Sequence, residues 1–414
     1  MKINHLPKSK INFTGESLMI TEKQIIEDEK RFMIPVYKRI PVCLVKGAGI
    51  KVWDINGKEY LDFFGQGVNS IGHCHPKLVK AIQEQTSKLI HFSNLYYTLP
   101  QVELARKLSQ ISYGSKVFFA NSGAEVNEAA IKLARIYGKG KYTIITMTNS
   151  FHGRTLATLS ATGQEKIHIG FEPLVDGFKY VPFNDLEQVQ KAITQSTCAI
   201  MVEPIQGEGG VNVARLEYLK GLRTLCDEHK ILLILDEVQT GIGRTGKMFG
   251  YEHYGIIPDI ITLAKWLGSG LPIGAMLAKP ELANLLSAGT HASTFGGNPL
   301  ACAGTLAVIN LIMEENLVEN ARETGNYLIN KLSELKDKYR FIKEVRGKGL
   351  MVGMELEIAG GSIVDACLQQ GLIINCTVEK VLRFLPPLIV TKQDVDKAIE
   401  ILDEVLQGKE VESR

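Results

Sequence analysis

Two reactive side chains follow apolar runs of the sequence. Asp236 ends the run Ile231–Leu235, and Lys265 follows the run Asp259–Leu263 after one alanine. A lysine that leaves a buried strand can be desolvated, which lowers its pKa and favours imine formation with a carbonyl compound. The alternative interpretation is a solvated strand end.

A carboxylate at the end of a buried strand, such as Asp236, is costly unless it has a partner. One suitable partner is a protonated pyridine nitrogen. At ~3 Å and an effective dielectric near 20, the attraction is about 5 kcal/mol before desolvation. The alternative interpretation is an aspartate that caps the next loop.

A turn of small residues follows a third apolar run, Lys116–Ala120, and leads into a helical pattern. Gly123 lets backbone amides approach an anion there, and the start of a helix adds favourable partial charge. The turn alone is more typical of a purely structural role. Combined with Asp236 and Lys265, it predicts a phosphate-binding turn.

Two further stretches carry groups that suit a planar, charged ligand. Phe151 could stack on a flat ring and Arg154 could grip a carboxylate with two hydrogen bonds. The stretch His291–Asn298 supplies hydroxyls and amides suited to a phosphate. His152, between Phe151 and Arg154, is interpreted as a packed or hydrogen-bonded histidine rather than a catalytic base.

The elements that must position these residues alternate between strand-like and helical patterns from about residue 75. Uninterrupted apolar runs of this length are typical of strands buried on both faces of a parallel sheet. They are Lys116–Ala120, Tyr142–Thr146, Cys198–Val202, Ile231–Leu235 and Asp259–Leu263, with helical patterns at Glu125–Tyr137 and Leu216–His229. We therefore predict an α/β domain, with its ligand beyond the carboxyl ends of the strands.

The two ends of the chain have other patterns. A capping-box spacing of Thr21 and Gln24 predicts a short helix from Thr21 to Phe32. After about residue 305, long helical patterns surround short strand candidates, which predicts a smaller α+β domain. These patterns are Leu306–Lys336, Gly349–Leu356, Val381–Phe384 and Lys392–Leu406.

Composition excludes several classes of function. The 414 residues carry 47 basic and 45 acidic side chains, a net charge of +2, which gives no reason to expect nucleic acid or a membrane as partner. Seven scattered cysteines without a CxxC pair, together with no apolar run of signal-peptide length, predict a cytoplasmic protein. Gly241–Lys247 has P-loop spacing, but Met248 stands where Ser or Thr must hold Mg²⁺. No cluster with zinc spacing is present, so no metal is expected.

The motifs together resemble the class III aminotransferases, pyridoxal-phosphate (PLP) enzymes of fold type I. The resemblance runs from about Pro41 to Leu406, through NSGAE, SFHGRTLATLSATGQ, EPIQGEGGV, LDEVQTGIGRTG, LPIGAMLA and STFGGNPLACA. It implies an α/β large domain over residues 76–305 with a mainly parallel seven-stranded sheet. A smaller α+β domain would use both chain ends, residues 1–75 and 306–414, with the first segment also contacting the second subunit of a homodimer.

The resemblance also implies roles for individual residues. Lys265 would bind PLP covalently and move the proton, while Asp236 would pair with the pyridine nitrogen. The other cofactor-binding positions would be Ser122, Gly123, Ala124, Phe151, Glu237, Val238, Gln239 and, from the neighbouring subunit, Thr294. The substrate-binding positions would be Arg154, Ser293, Glu208 and Arg383. Arg154 would hold the carboxylate remote from the reacting amine, and Glu208 would pair with Arg383 until a dicarboxylate needs that arginine.

Within this family the sequence is most similar to members acting on N-acetylornithine. They transfer its δ-amino group to 2-oxoglutarate, giving N-acetylglutamate 5-semialdehyde and glutamate in arginine biosynthesis. Sister substrates remain open: succinylornithine, ornithine, 4-aminobutyrate or a lysine-pathway intermediate. A non-catalytic PLP-binding regulator is the alternative of another class. Two departures affect the pocket: Trp266 replaces a usual small residue, and the segment Phe64–Asn69 is one residue short.

Overall fold

The computed structural model describes residues 20–412 of the chain. Its helices are α1 (Glu22–Phe32), α2 (Pro76–Thr86), α3 (Leu99–Ile111), α4 (Gly123–Gly138), α5 (Leu156–Ala161), α6 (Leu186–Ala192), α7 (Leu216–His229), α8 (Pro280–Ala283), α9 (Pro299–Glu314), α10 (Leu317–Lys338), α11 (Gly361–Gln369) and α12 (Lys392–Glu412). The capping box predicted for Thr21 and Gln24 is confirmed at the start of α1. Of the predicted N-terminal segment, residues 1–19 lie outside the described part.

The strands follow the same chain order. They are β1 (Leu44–Ala48), β2 (Lys51–Asp54), β3 (Glu59–Asp62), β4 (Lys116–Ala120), β5 (Thr143–Met147), β6 (Phe178–Val181), β7 (Thr197–Val202), β8 (Ile205–Gln206), β9 (Asn212–Val213), β10 (Leu232–Asp236), β11 (Ile260–Leu263), β12 (Gly274–Ala278), β13 (Ile342–Lys348), β14 (Met351–Leu356), β15 (Leu372–Ile373), β16 (Asn375–Thr377) and β17 (Val381–Phe384). All five apolar runs and both later strand candidates are confirmed as strands, with bounds shifted by up to two residues.

A seven-stranded sheet in the order β4-β12-β11-β10-β7-β5-β6 forms the centre of the molecule. Its strands are parallel except β12, which runs antiparallel to both β11 and β4. Strands β7, β10, β11 and β12 are buried along their whole length. Burial on both faces explains why these strands are continuous apolar runs rather than alternating ones.

The two faces of the sheet belong to separate apolar clusters. Ile234 and Ile260 pack on the face covered by α4, which contributes Val126 and Ile131. Leu235 and Ile261, one residue further along each strand, pack on the opposite face, with α7 and α9. Because side chains alternate across a strand, the same two strands contribute to both layers.

Two smaller sheets are built from the chain ends. The first has the order β1-β2-β3-β15, in which Leu372 pairs with Leu61 and joins the C-terminal part to the N-terminal part. The second is antiparallel, in the order β13-β14-β17-β16. The α+β unit that uses both chain ends is therefore present.

The helical pattern predicted over Leu306–Lys336 is two helices, not one. Asn316 has the left-handed φ of 51°, which ends α9 and starts α10 in a new direction. Helix α9 packs on α2 and α3 and runs through the boundary predicted at residues 305 and 306. We propose that the change of domain falls at the α9–α10 break instead. Within residues 20–412 no single helix has the length and apolarity of a membrane span; the bent pair α9–α10, at 65°, meets that test only jointly.

Candidate active site

Lys265 lies in a short 3₁₀ turn that follows β11, with a left-handed φ of 35°. The turn brings its side chain into a cavity of about 440 Å³ beyond the carboxyl ends of β10 and β11. Burial lowers the pKa of the Lys265 amine, and the charge of Arg383 acts in the same direction. The carboxyl groups that partly oppose this shift are Glu208, Asp236 and Glu203. A lysine with a lowered pKa is more often unprotonated and so more nucleophilic.

Nine of the predicted residues line this one cavity. They are Ser122, Gly123, Ala124, Phe151, Arg154, Asp236, Val238, Gln239 and Lys265. They come from four separate connections, which follow β4, β5, β10 and β11. The carboxyl edge of the sheet therefore collects them as expected for an open parallel sheet.

Asp236 is held at the cavity wall by three hydrogen bonds. Its Oδ2 atom accepts from Asn127 Nδ2 and from His152 Nδ1, each at 2.8 Å, and its Oδ1 atom accepts from the Val238 amide at 3.1 Å. His152 is buried, so its interpretation as a hydrogen-bonded histidine is confirmed. Asn127 was missed by sequence reasoning. The signal that could have identified it is a polar residue on the buried face of α4.

The predicted phosphate-binding turn is the start of α4. Ser122 is the N-cap residue, and its hydroxyl accepts from the Glu125 amide at 3.3 Å. A Cβ atom on Gly123 would lie 3.0 Å from a methyl group of Val238, so glycine suits the close approach of α4 to the end of β10. The amides of the first helical turn face the cavity, where an anion is favoured.

Glu237 lies away from the cavity, unlike its neighbours Asp236 and Val238. Its buried carboxyl group accepts from the amides of Gly250 and Tyr251, the latter at 2.8 Å. Burial raises its pKa to about 7, against these hydrogen bonds. The side chain of Glu237 is used by the Gly250–His253 turn, and the predicted cofactor-binding role of this position stays a prediction.

Ser293 and Thr294 do not line the cavity within this chain. The Ser293 hydroxyl accepts from the Gly296 amide at 3.0 Å and from Asn121 Nδ2 at 3.3 Å. Thr294 is exposed on the next position. The predicted contribution of Thr294 to a neighbouring subunit stays a prediction, whereas Ser293 supports the residue that precedes Ser122.

A second cavity of about 460 Å³ adjoins the first and shares Phe151, Arg154 and Lys265 with it. Glu208 and Arg383 form a two-point ion pair there, at 2.9 and 3.3 Å. Arg383 also donates to Asn375 Oδ1 at 3.1 Å. Burial opposes ionisation of Glu208, but the charges of Arg383 and Lys265 outweigh it and lower its pKa.

Arg154 lies in the connection that follows β5, and its side chain lines both cavities. Its guanidinium carbon lies 5.5 Å from the centre of the Phe151 ring. Phe151 is in turn fixed by its amide, which donates to the buried Glu203 carboxyl group at 2.9 Å. Glu203, also missed by sequence reasoning, is a buried carboxyl group after β7 that gave no pattern by itself. The stacked pair places a cation beside the aromatic face, as a carboxylate grip requires.

Trp266 packs against the segment 64–69 at Gly67. Its ring is buried, and its Nε1 atom donates to the Gln239 carbonyl at 2.9 Å. A Cβ atom on Gly67 would lie 2.9 Å from the ring atom Cζ2. The bulky ring therefore occupies space beside the glycine, and its hydrogen bond holds the loop that carries Gln239.

The side chains that meet here fit PLP. A buried amine, a carboxylate on the opposite wall and the start of a helix are the groups that would bind its aldehyde carbon, its pyridine nitrogen and its phosphate. Two buried atoms next to Asp236 lack a protein partner, Asn127 Oδ1 and His152 Nε2. Over residues 20–412 no group of three or more His, Cys, Asp or Glu side chains could hold a metal ion.

The chain matches one known protein family. The model of Aminotransferase class-III matches residues 33–406. The acetylornithine aminotransferase of Methanocaldococcus jannaschii is 56% identical over 392 residues, which cover 93% of this chain and 98% of that protein.

Solved structures have the same fold. The ornithine aminotransferase from Toxoplasma gondii, crystallised with oxidized glutathione and with partial occupancy of PLP, has a TM-score of 0.92 at 33% identity and covers 95% of each chain. The acetylornithine aminotransferase from Elizabethkingia anophelis has a TM-score of 0.84 at 34% identity, covering 94% of this chain and 99% of that one.

The chain therefore belongs to the class III aminotransferases. It is a PLP-dependent aminotransferase of fold type I, as the motifs predicted.

Proposed function

We propose that this enzyme transfers the δ-amino group of N-acetylornithine to 2-oxoglutarate, giving N-acetylglutamate 5-semialdehyde and glutamate in arginine biosynthesis. Two relatives named acetylornithine aminotransferase are 56% identical to this chain, which supports N-acetylornithine as the amino donor. The observation in the site that carries the proposal is the Glu208–Arg383 pair beside the uncommitted cation of Arg154. One unpaired arginine can bind the carboxylate of a monocarboxylate amine. Two unpaired arginines can bind the two carboxylates of a dicarboxylate.

The reaction needs one site to accept two substrates of different charge. In the first half-reaction Arg154 binds the single carboxylate of the amino donor, while Glu208 neutralises Arg383. In the second, Arg154 and Arg383 each bind one carboxylate of 2-oxoglutarate, so Glu208 must leave Arg383. Glu208 has an alternative partner at hand, because Gln239 Nε2 donates to its Oε1 atom at 3.1 Å.

Lys265 and Asp236 serve the chemical steps. PLP, when bound, supplies an electron sink that acidifies the substrate carbon bearing the amine. The Lys265 amine would be placed to take that proton as general base and to deliver it again later in the reaction. Asp236 supplies the negative charge for the pyridine nitrogen. The hydrogen bonds from Asn127 and His152 keep its carboxylate in that position.

A homodimer is part of the proposal, supported by an exposed apolar surface on the segment 92–99. Leu95 is 90% exposed, Tyr97 99% and Leu99 70%. Asn94 ties this segment to the loop that carries Thr294, since its Nδ2 atom donates to the Ser293 carbonyl at 2.9 Å. Apolar patches of this kind are typical of subunit interfaces. Leu95→Asp should shift the molecular mass measured by light scattering from dimer to monomer.

A cytoplasmic location also belongs to this proposal. All seven cysteines have free thiols, as is usual in a reducing compartment.

The experiment that tests the function uses the purified PLP-loaded enzyme. N-acetylornithine alone should shift the visible absorption of bound PLP toward the ultraviolet, and 2-oxoglutarate should restore it. Lys265→Ala should bind cofactor without the wild-type band and show no turnover, while the surface variant Lys191→Gln should behave like wild type.

The same measurement decides between the alternatives. If N-acetylornithine leaves the absorption band unchanged but succinylornithine, ornithine or 4-aminobutyrate shifts it, the compound that shifts the band is the amino donor. A band that responds to no amine would favour a non-catalytic PLP-binding protein.

A further inference from the structure

The second cavity contains more positive than negative side chains. Four cations line it, Arg154, Lys166, Lys265 and Arg383, against the single carboxylate of Glu208. Arg383 is paired with Glu208 at 2.9 Å, and the Lys265 amine is used by the cofactor. Two cations therefore remain for the substrate.

The carboxyl groups of the neighbouring cavity do not offset this excess. Asp236 is surrounded by Asn127, His152 and Val238. Glu203 accepts from the Phe151 and Gly207 amides, at 2.9 and 3.2 Å, and burial raises its pKa above the ordinary value. Among the side chains that the structure describes, neither Arg154 nor Lys166 forms a salt bridge with a carboxylate.

The backbone holds Lys166 in a defined position relative to Arg154. Lys166 lies in the 3₁₀ turn Glu165–Ile167, and Arg154 lies in the loop that begins at Ser150. Ser150 links the two segments twice: its hydroxyl accepts from the Gly163 amide at 3.0 Å, and its carbonyl accepts from Gln164 Nε2 at 2.9 Å. These two hydrogen bonds hold the turn that contains Lys166 close to the loop that contains Arg154.

The candidate amino donors differ in charge at one atom. N-acetylornithine and ornithine share the reacting δ-ammonium and the α-carboxylate. The α-nitrogen is a neutral amide in the first and an ammonium in the second. Because it is attached to the carbon that bears the carboxylate, it must lie in the same part of the cavity as Arg154.

We propose that Lys166, an exposed residue that lines the same cavity as Arg154, is a specificity-determining residue whose ammonium group repels amino donors with a free α-ammonium group. One carboxylate neutralises only one of the two cations, so a positive charge remains for the α-nitrogen. Acylation of that nitrogen removes the repulsion. The inference rests on the proposed function, since it assumes that the donor carboxylate binds at Arg154.

The test compares kcat/KM of the PLP-loaded enzyme for ornithine and 5-aminopentanoate, which is ornithine without its α-amino group. In Lys166→Gln the ratio of ornithine to 5-aminopentanoate should rise on the order of tenfold, the effect of removing one repulsive charge in a partly solvated cavity. Lys166→Arg should keep the wild-type ratio because it keeps the charge. Lys191→Gln, which removes one exposed lysine on α6, controls for net charge.

The outcome that would overturn the proposal is an equal change for both substrates, because a structural or general carboxylate-binding role of Lys166 affects them alike. A ratio that rises equally in Lys166→Arg would also overturn it. Failure of the proposed function is separable: wild-type enzyme would then not turn over N-acetylornithine, while the ratio of the other two donors could still be measured.

Discussion

The carboxylate of Glu208 covers the guanidinium of Arg383, with both Oε atoms within 3.3 Å of its nitrogen atoms. The pair joins the connection between β8 and β9 to strand β17 of the antiparallel sheet of the smaller unit. Thr377, on the adjacent strand β16, fixes the Glu208 backbone by donating to its carbonyl at 2.6 Å. Only the side chain of Glu208 is free to change partner. This arrangement suits a switch in which the backbone stays in place.

Arg383→Ala should separate the two half-reactions. The rate with 2-oxoglutarate should fall on the order of a hundredfold, because a two-point charge-assisted contact is lost. The rate with the monocarboxylate donor should fall less, and Arg154→Ala should impair both. Single-turnover absorbance measurements of each half-reaction provide the test. Unchanged turnover with 2-oxoglutarate or glutamate in Arg383→Ala would exclude the switch.

Asp236→Asn should retain PLP but lose on the order of a thousandfold in kcat. An amide cannot supply the roughly 5 kcal/mol that favours a protonated pyridine nitrogen at neutral pH. Asn127→Ala should cost only about tenfold, because His152 and the Val238 amide still position the carboxylate. Steady-state kinetics with the cofactor content measured for each variant checks this order. Equal losses in both variants would show that position, not charge, is the main contribution of Asp236.

Gly67→Ala should destabilise the protein through Trp266. The added methyl group would lie 2.9 Å from the indole ring, and the left-handed φ of 67° disfavours a side chain. We expect about 2–4 kcal/mol of lost stability, of which about 1 kcal/mol is backbone strain. In a Trp266→Ala background only the strain should remain. A double-mutant cycle of unfolding free energies tests this, and simple additivity would contradict it.

Glu237 should make stability fall as pH rises toward neutrality. Its folded-state pKa is about 7 against an ordinary value of 4.5, so the folded state holds the proton more tightly. The contribution is fully present below about pH 4.5 and is lost as pH rises through about 7. It amounts to at most about 3 kcal/mol. Unfolding midpoints between pH 5 and 8 should therefore fall more steeply in wild type than in Glu237→Gln, and parallel profiles would refute the assignment.

The local sequence predicted a helix or strand correctly where the residues of that segment alone determine its structure. The apolar runs identified the central strands, and the spacing of Thr21 and Gln24 identified the start of α1. Strands β6 and β12 were missed. Gly274–Ala278 has small residues and no strong strand signal; its place is decided by pairing with β11 and β4 on either side.

The cofactor site shows the same division. The sequence by itself determined that Asp236 and Lys265 lie at the ends of apolar strands and that the turn at Gly123 leads into α4, because each follows from a run and the residues after it. Asn127 and Glu203 could not be identified in this way. Asn127 contacts Asp236 across 109 residues of chain, and only the packing of α4 on the sheet brings them together.

Tertiary structure alone decided how charges are distributed among partners. Glu208 and Arg383 are 175 positions apart and meet because β17 lies against the connection after β8. Glu237 has the same chemistry as Asp236, yet its side chain points to the opposite side of the strand end and binds the Gly250–His253 turn. Residue type and local pattern specify which groups can do the chemistry. Which of them face the same cavity depends on contacts between distant segments, since a hydrogen bond or ion pair forms only where packing brings its two atoms within about 3 Å.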